Sequence, residues 1–198
     1  MTRWSASMPD DYFEALYSAD RDPWLFETSG YERDKYTATL AAIGTARIGR
    51  AWEVGCSIGV FTRALAPQCD SLLAVDVAES ALAQARDRCA GIQQVTLRRM
   101  RIPEEWPSGF FDLIVFSEVL YYLVPADIRT AAWRSMVSLS PGGRIMLVHW
   151  TGETNYPVTG DEAATLFRET CGHRLRVRRQ DRHDAYRLDV LQADMPIA

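Results

Sequence analysis

Short apolar runs alternate with longer amphipathic segments along most of the chain. Runs such as Leu72–Val75 and Asp112–Phe116 have the length and composition of strands that are buried on both faces of a parallel sheet. Between them lie segments such as Ser80–Cys89, whose apolar positions recur every three or four residues, as in a helix packed on one side. This alternation predicts an α/β fold with helices on both faces of the sheet.

The pattern predicts seven strands and six helices. The strands are Ala51–Val54, Leu72–Val75, Val95–Arg99, Asp112–Phe116, Arg144–His149, Leu175–Arg179 and Tyr186–Leu191. The helices are Tyr12–Tyr17, Tyr31–Ile43 with Tyr36, Leu40 and Ile43 on one face, a segment from Phe61 to Leu65, Ser80–Cys89, Pro125–Leu139 and a segment that follows a capping box at Thr159 and Glu162. Pro141–Gly143 is expected to end the helix that begins at Pro125. The last two strands are close enough in sequence to pair antiparallel, which completes a three-layer α/β sandwich.

An acid and two glycines follow one another at the end of the first strand, and a second acid ends the next apolar run. Glu53 precedes Gly55 and Gly59, and Asp76 directly follows Leu72–Val75. The glycines let the backbone turn tightly against a ligand, and a carboxylate after the second strand can accept both hydroxyls of a ribose. Glu53 adds negative charge near the place of a cationic aminoacyl-sulfonium group. The pattern predicts a site for S-adenosylmethionine.

The glycine loop has two other interpretations. A glycine pair inside an apolar segment can be a plain turn, and the sequence leaves this alternative open. A dinucleotide site requires Gly-x-Gly-x-x-Gly for its pyrophosphate, and that register would place glycines where Ser57 and Val60 stand. The sequence therefore disfavours an NAD-dependent dehydrogenase.

Composition narrows the class of protein. With 198 residues, 47% of them hydrophobic, the chain suits one domain. A net charge of -4 and a pI near 5.4 predict neither nucleic acid nor a membrane surface as a partner. The four cysteines form no ligand cluster or disulfide framework, and no apolar run has the length of a signal peptide or a membrane span. We expect a cytoplasmic protein without a metal, and its oligomeric state stays open.

Several longer motifs, together with the loop and Asp76, resemble the class I S-adenosylmethionine-dependent methyltransferases. Within that superfamily the chain is similar to the nodulation protein S family of small N-methyltransferases, which act on an amino sugar in lipochitooligosaccharide synthesis. The motifs are Asp22-Pro23-Trp24 with Tyr31-Glu32-Arg33, the segments Glu53–Gly59 and Leu73–Asp76, and Phe111–Leu123. The resemblance implies a single-domain, Rossmann-like sandwich over 1–198, with an N-terminal helical lid in 1–45 and a cofactor-binding core in 46–198.

The resemblance also implies a set of cofactor-binding residues. These are Glu53, Gly55, Cys56, Gly59, Asp76, Val77, Met100, Arg101 and Ser117. Where the family commonly places an acid near the adenine amino group, this chain has Arg101, which cannot accept a hydrogen bond. We therefore expect backbone groups of Met100 and Arg101, together with stacking, to hold the adenine.

Methyl transfer to an amine requires alignment, exclusion of water and loss of a proton from the amine. His149 and Glu118 follow predicted strands at the edge of the sheet where open α/β folds bind ligands. His149 is a candidate base and Glu118 a candidate partner of the amine, although a strand-end histidine and a helix-start acid are equally good interpretations. Candidate substrate-binding residues are Trp24, Tyr121, Tyr122 and Trp150, which packing alone could also explain.

We predict N-methylation of an amino sugar or a related amine. O-methylation of a sugar or secondary metabolite is the alternative, and a non-catalytic cofactor-binding protein is less favoured.

Overall fold

The computed structural model describes residues 2–194, which fold into two compact units. One unit is Pro9–Arg101, and the other combines residues 2–8 with residues 102–194. The helices are α1 (Asp10–Ala19), α2 (Gly30–Ile43), α3 (Val60–Leu65), α4 (Glu79–Arg88), α5 (Pro125–Val137) and α6 (Gly160–Cys171). The strands are β1 (Ile48–Val54), β2 (Cys69–Asp76), β3 (Val95–Arg99), β4 (Phe111–Ser117), β5 (Leu139–Trp150), β6 (Leu175–Arg182) and β7 (Tyr186–Ala193).

The unit Pro9–Arg101 is built on three parallel strands in the order β3-β2-β1. β1 and β2 are buried toward their carboxyl ends, where β1 ends in Glu53 and Val54 and β2 ends in Val75 and Asp76. The carboxyl end of β3 is exposed. Since parallel strands end at one edge, the loops that follow β1, β2 and β3 lie together. All the predicted cofactor residues except Ser117 fall in this unit.

The second unit contains four strands in the order β4-β5-β7-β6. β4 and β5 are parallel, while β7 pairs antiparallel with both β5 and β6. Phe116 of β4 and Phe167 of α6 pack with ring centroids 5.4 Å apart, which holds α6 against this part of the sheet. The predicted fold class, a mostly parallel seven-stranded α/β sheet with an antiparallel terminal hairpin, is confirmed. The prediction of one domain over 1–198 with a lid in 1–45 stays a prediction.

Local sequence signals explain where two helices begin. Thr159 caps α6, since its hydroxyl accepts from the Glu162 N–H at 3.1 Å while the Glu162 carboxylate accepts from the Thr159 N–H at 2.7 Å. The predicted capping box is thus confirmed. Ser29 caps α2 by a single hydrogen bond, which its hydroxyl accepts from the N–H of Glu32.

Two predictions about helices were wrong in detail. α5 ends at Val137, and Pro141–Gly143 lie inside β5 instead of ending the helix. The reason is that Ser138 already caps α5, since its N–H donates to carbonyls of the last helical turn. The Ser138 carbonyl accepts from the N–H of Phe111, so pairing with β4 begins before Pro141 is reached. In the predicted face of α2, Ile43 is buried as expected, whereas Tyr36 and Leu40 are only half-buried. The buried positions of that helix are Glu32, Lys35, Thr39 and Ile43.

Burial of α2 depends on an internal ion pair. Lys35 Nζ lies 2.9 Å from Glu32 Oε1, and both side chains are almost inaccessible to water. A hydrophobic periodicity cannot detect a buried face of this kind, because its charges are tolerated only once they meet each other.

Among residues 2–194 no helix is long and apolar enough to cross a membrane.

Candidate functional site

The loop after β1 is a strained turn fixed to its neighbours. Gly55, Ser57 and Gly59 all have positive φ angles, of 76°, 51° and 79°. The N–H of Gly55 donates to the carbonyl of Val75 at 2.8 Å. A Cβ at Gly59 would lie 3.0 Å from Ala85, so this position requires glycine for both its angle and its packing. The loop is therefore held rigidly between β2 and α4.

Asp76 is the anchor of this loop. Its Oδ2 accepts from the Ser57 N–H at 2.8 Å and its Oδ1 from the Ala78 N–H at 3.0 Å. Burial raises the pKa of Asp76, while the backbone hydrogen bonds of Ala78, Ser57 and Val77 oppose that rise. Each carboxylate oxygen can accept more than one hydrogen bond, so both keep capacity for the two hydroxyls of a ribose.

Glu53 is the second acid of the loop and fits a cationic group. It is 2% exposed, and its Oε2 has no hydrogen-bond partner among the residues that the structure describes. Burial raises the pKa of Glu53 to about 8, and nearby Asp76 adds to the rise while Thr62 opposes it. A buried acceptor without a donor is costly, and the ammonium of an aminoacyl ligand would satisfy it. This observation supports the fit of the predicted cofactor.

A residue outside the predicted set connects α1 to the loop. The hydroxyl of Tyr17 lies 2.5 Å from Ser57 Oγ, and its ring packs against Trp24 at a centroid distance of 5.4 Å. Trp24 also packs against Phe26, at 5.7 Å. The predicted substrate-binding residue Trp24 thus lies near the loop after β1, packed against the hydrophobic cluster that includes Tyr17 and Ile58.

The segment after β3 contains an ion pair with α1. The guanidinium of Arg101 pairs with the carboxylate of Asp10, and Arg99 approaches the same carboxylate at 3.4 Å. The N–H of Met100 donates to the Asp76 carbonyl at 3.0 Å, and the Val77 carbonyl accepts from Arg99 Nε at 2.9 Å. An acid is therefore present beside Arg101, although it comes from a helix 91 residues earlier in the chain.

Glu118 is the central residue of the second unit's candidate site. It follows β4 with a φ of 58°, an uncommon conformation for a residue other than glycine. Its Oε2 accepts from the hydroxyl of Tyr121 and from the Trp150 N–H, both at 2.8 Å. Ser117, which precedes it, is half-buried at the end of β4. The backbone strain and the two donors mark Glu118 as a functional candidate.

His149 is fully buried in β5. Its Nε2 accepts from the Leu120 N–H at 3.2 Å, and its ring meets that of Tyr121 edge-on at 5.7 Å. A base needs an available lone pair, and the backbone N–H already uses that of Nε2. The geometry favours a positioning role, while the base role of His149 stays a prediction.

Three tyrosines form a cluster beside this network. Tyr156, which the sequence analysis did not select, stacks on Tyr121 at 5.6 Å and meets Tyr122 edge-on at 4.6 Å. The Tyr121 and Tyr122 rings are also 4.6 Å apart. Trp150 is 37% exposed. A Cβ at Gly160 would lie only 2.0 Å from the Trp150 carbonyl oxygen, so α6 can begin here only with glycine. The structure thus groups Tyr121, Tyr122 and Tyr156, with Trp150 joined through Glu118.

Comparison with known proteins identifies the family. The family described as nodulation protein S (NodS) matches residues 12–149 of this chain. Nodulation protein S of Sinorhizobium fredii is 35% identical over 130 residues, which cover 65% of this chain and 60% of that protein. The protein of the same name from Bradyrhizobium diazoefficiens is 38% identical over 121 residues, 60% of this chain and 57% of its own length. The chain thus spans less than two thirds of these relatives.

A solved structure extends the similarity over the whole fold. The crystal structure of the N-methyltransferase NodS from Bradyrhizobium japonicum, in complex with S-adenosyl-L-homocysteine, superposes with a TM-score of 0.79 and 25% identity. The match covers 91% of this chain and 98% of that one. By its matched sequence and its fold, the chain belongs to the nodulation protein S family.

Proposed function

We propose that this protein is an S-adenosylmethionine-dependent N-methyltransferase that acts on a small-molecule amine, most specifically the amine of an amino sugar. The observation that carries the proposal is the pair of buried acids at the carboxyl ends of β1 and β2, with Glu53 Oε2 lacking a hydrogen-bond partner among residues 2–194. Membership of the nodulation protein S family supports the amine as acceptor, since the solved family member is an N-methyltransferase.

The residues of the first unit divide the cofactor between them. Asp76 would accept the ribose hydroxyls, and Glu53 would meet the ammonium of the aminoacyl group. Backbone groups of Met100 and Arg101 would lie along the adenine, with Cys56 and Val77 lining the loops on either side. When bound, the cofactor supplies a methyl group that its sulfonium already activates, so the protein needs no covalent intermediate.

The residues of the second unit prepare the acceptor. An ammonium has no lone pair, so the acceptor must reach the methyl group as a free amine. We assign Glu118 the hydrogen bond from the acceptor nitrogen, because its carboxylate is held by two donors and ends a strand. Tyr122 and Trp150 offer flat, partly exposed surfaces suited to a sugar ring. His149 supports this arrangement through Leu120.

A metal has no part in this proposal. Among the described residues, no three side chains of histidine, cysteine, aspartate or glutamate are grouped as ligands of a metal would be. We further propose that the protein works in the cytoplasm, which suits the four buried free cysteines. The net charge of -4 supports a small molecule, not a nucleic acid, as its partner.

A transfer assay tests the proposal. Purified protein is incubated with S-adenosylmethionine labelled in the methyl group and with three matched chitooligosaccharides, one bearing a free amine, one fully N-acetylated and one in which a hydroxyl replaces the amine. We expect label in the first acceptor alone, and much slower labelling at a limiting cofactor concentration when Asp76→Ala replaces the wild type. Label in the hydroxyl-bearing and N-acetylated sugars would show O-methylation instead. Absence of label with every amine and alcohol tested, despite tight binding of S-adenosylhomocysteine, would reject catalysis.

A further inference from the structure

Glu118 has an unusual backbone conformation that a neighbouring strand stabilises. Its φ of 58° is held by a hydrogen bond from its own N–H to the carbonyl of Val148, at 2.9 Å. A conformation of this kind persists where the surrounding structure determines it, and it occurs often at active sites. Here it aims the side chain of Glu118 along the end of β5.

The carboxylate is then fixed by two donors on one oxygen. Oε2 of Glu118 accepts from the Tyr121 hydroxyl and from the backbone N–H of Trp150, each at 2.8 Å. The Trp150 donor is part of β5 and cannot rotate. The Tyr121 hydroxyl is a side-chain donor, so a substitution can remove it without altering the backbone.

Tyr121 is itself firmly placed. Its side chain is 6% exposed, stacks on Tyr156 with an interplanar angle of 6° and meets His149 edge-on. Burial, and after it the charge of Glu118, raises the pKa of Tyr121 well above its ordinary value. The hydroxyl therefore keeps its proton and remains a donor throughout the neutral range.

The turn that carries Tyr121 is hydrogen-bonded to the buried His149. Leu120–Tyr122 form a short 3-10 helix, and the N–H of Leu120 donates to Nε2 of the buried His149 at 3.2 Å. A continuous set of contacts thus leads from His149 through the Leu120 N–H to Tyr121 and on to Glu118.

We propose that Tyr121 is a positioning residue for methyl transfer, whose hydroxyl holds the Glu118 carboxylate in the orientation that meets the acceptor nitrogen. This inference rests on the proposed function, because it assigns Glu118 the contact with the acceptor. It gives Tyr121 a role that differs from a surface for the sugar. The ring provides rigidity, and the hydroxyl acts on the acceptor only through Glu118.

Removal of the single hydroxyl tests the role. Tyr121→Phe keeps the ring, so its stacking on Tyr156 and its edge contact with His149 remain. We expect kcat to fall roughly tenfold, the effect of one lost hydrogen bond to a charged group, with the KM for S-adenosylmethionine unchanged. Tyr186→Phe is the matched control, since Tyr186 belongs to the same unit and is also 6% exposed. A control that loses as much kcat, or a Tyr121→Phe variant at wild-type kcat, overturns the proposal.

A double-mutant cycle separates positioning from general stability. In a Glu118→Gln background the hydroxyl no longer has a carboxylate to orient, so Tyr121→Phe should cost little further activity. Equal losses of kcat in the wild-type and Glu118→Gln backgrounds would mean that Tyr121 acts elsewhere, and would also overturn the proposal.

An infrared measurement needs no acceptor and so distinguishes this proposal from the proposed function. The antisymmetric carboxylate stretch of Glu118 is assigned as the band absent from Glu118→Gln, in protein labelled with ¹³C-glutamate. We expect this band to shift in Tyr121→Phe and to stay in place in Tyr186→Phe. A shift combined with failure to methylate any amine would retain the hydrogen bond and reject the proposed function. An unmoved band would reject the positioning role even if amines are methylated.

Discussion

Asp76 Oδ2 and the backbone nitrogen of Ser57 are 2.8 Å apart, so the acid at the end of β2 is hydrogen-bonded directly to the glycine loop after β1. This hydrogen bond stabilises the loop, and Asp76 can still bind a ligand because each carboxylate oxygen can accept a further hydrogen bond. The same side chain can therefore shape the loop and hold a ribose.

Asp76→Ala should weaken the binding of S-adenosylhomocysteine by roughly 2 kcal/mol or more, since two charge-assisted hydrogen bonds to the ribose are lost. Isothermal titration calorimetry measures this loss. Asp70→Ala is the control, because Asp70 lies on the same strand with 60% of its side chain exposed. If Asp76→Ala binds as tightly as the control, the ribose assignment is wrong.

Tyr17→Phe should also weaken cofactor binding, although less. The variant loses the hydroxyl that lies 2.5 Å from Ser57 Oγ but keeps the ring that packs on Trp24. One neutral hydrogen bond corresponds to about 1 kcal/mol, so the loss of affinity should be about fivefold at most. Tyr12→Phe, in the same helix, provides the comparison. An equal effect in both variants would show that α1 contributes only by general packing.

The contribution of Glu53 should depend on pH in the free protein. Burial raises its pKa to about 8, so the folded state prefers the protonated acid. The corresponding stability is fully present below the ordinary pKa of a glutamate, near 4.5, and is lost as pH rises through about 8. We expect the melting temperature, measured by calorimetry, to fall less between pH 5 and pH 8 in Glu53→Gln than in the wild type. Parallel curves for wild type and Glu53→Gln would contradict this.

The sequence predicted which residues meet in the candidate site where they depend on neighbours in the chain. Glu53, the two glycines and Asp76 were predicted to lie together because an α/β fold brings the ends of successive strands together, and each lies within or beside a strong strand signal. Asp10 and Tyr17 were missed because their partners, Arg101 and Ser57, are far away in sequence. No periodicity records such a contact.

The same limit applies to the second unit. Glu118 and His149 were selected as strand-end residues, yet the hydrogen bonds that define them come from Tyr121 and Leu120, which belong to a short turn. Tyr156 lies in a segment rich in turn-forming residues and carries no regular pattern, so its stacking on Tyr121 emerged only from the structure. The buried charges of α2 were hidden for a related reason, since they compensate each other.

Chelators should leave methyl transfer intact. The proposed reaction needs alignment and a dry site, and none of its steps uses a metal ion. Activity is measured with and without EDTA after dialysis, with added magnesium as the complementary condition. Complete loss in EDTA that magnesium restores would place the enzyme among metal-dependent methyltransferases.

His149→Ala should lower turnover by about a hundredfold while cofactor affinity stays nearly unchanged, because His149 contacts Leu120 and Tyr121 and does not belong to the unit of Glu53 and Asp76. The pH response identifies the reason for the loss. If His149 were the base, raising the pH toward the acceptor's own pKa would partly rescue the variant, since more of the amine would already be free. With Nε2 committed to the Leu120 N–H, we expect a slow variant with no such rescue. Rescue of turnover at high pH would restore His149 as the base, whereas near-normal turnover at neutral pH would leave it with packing alone.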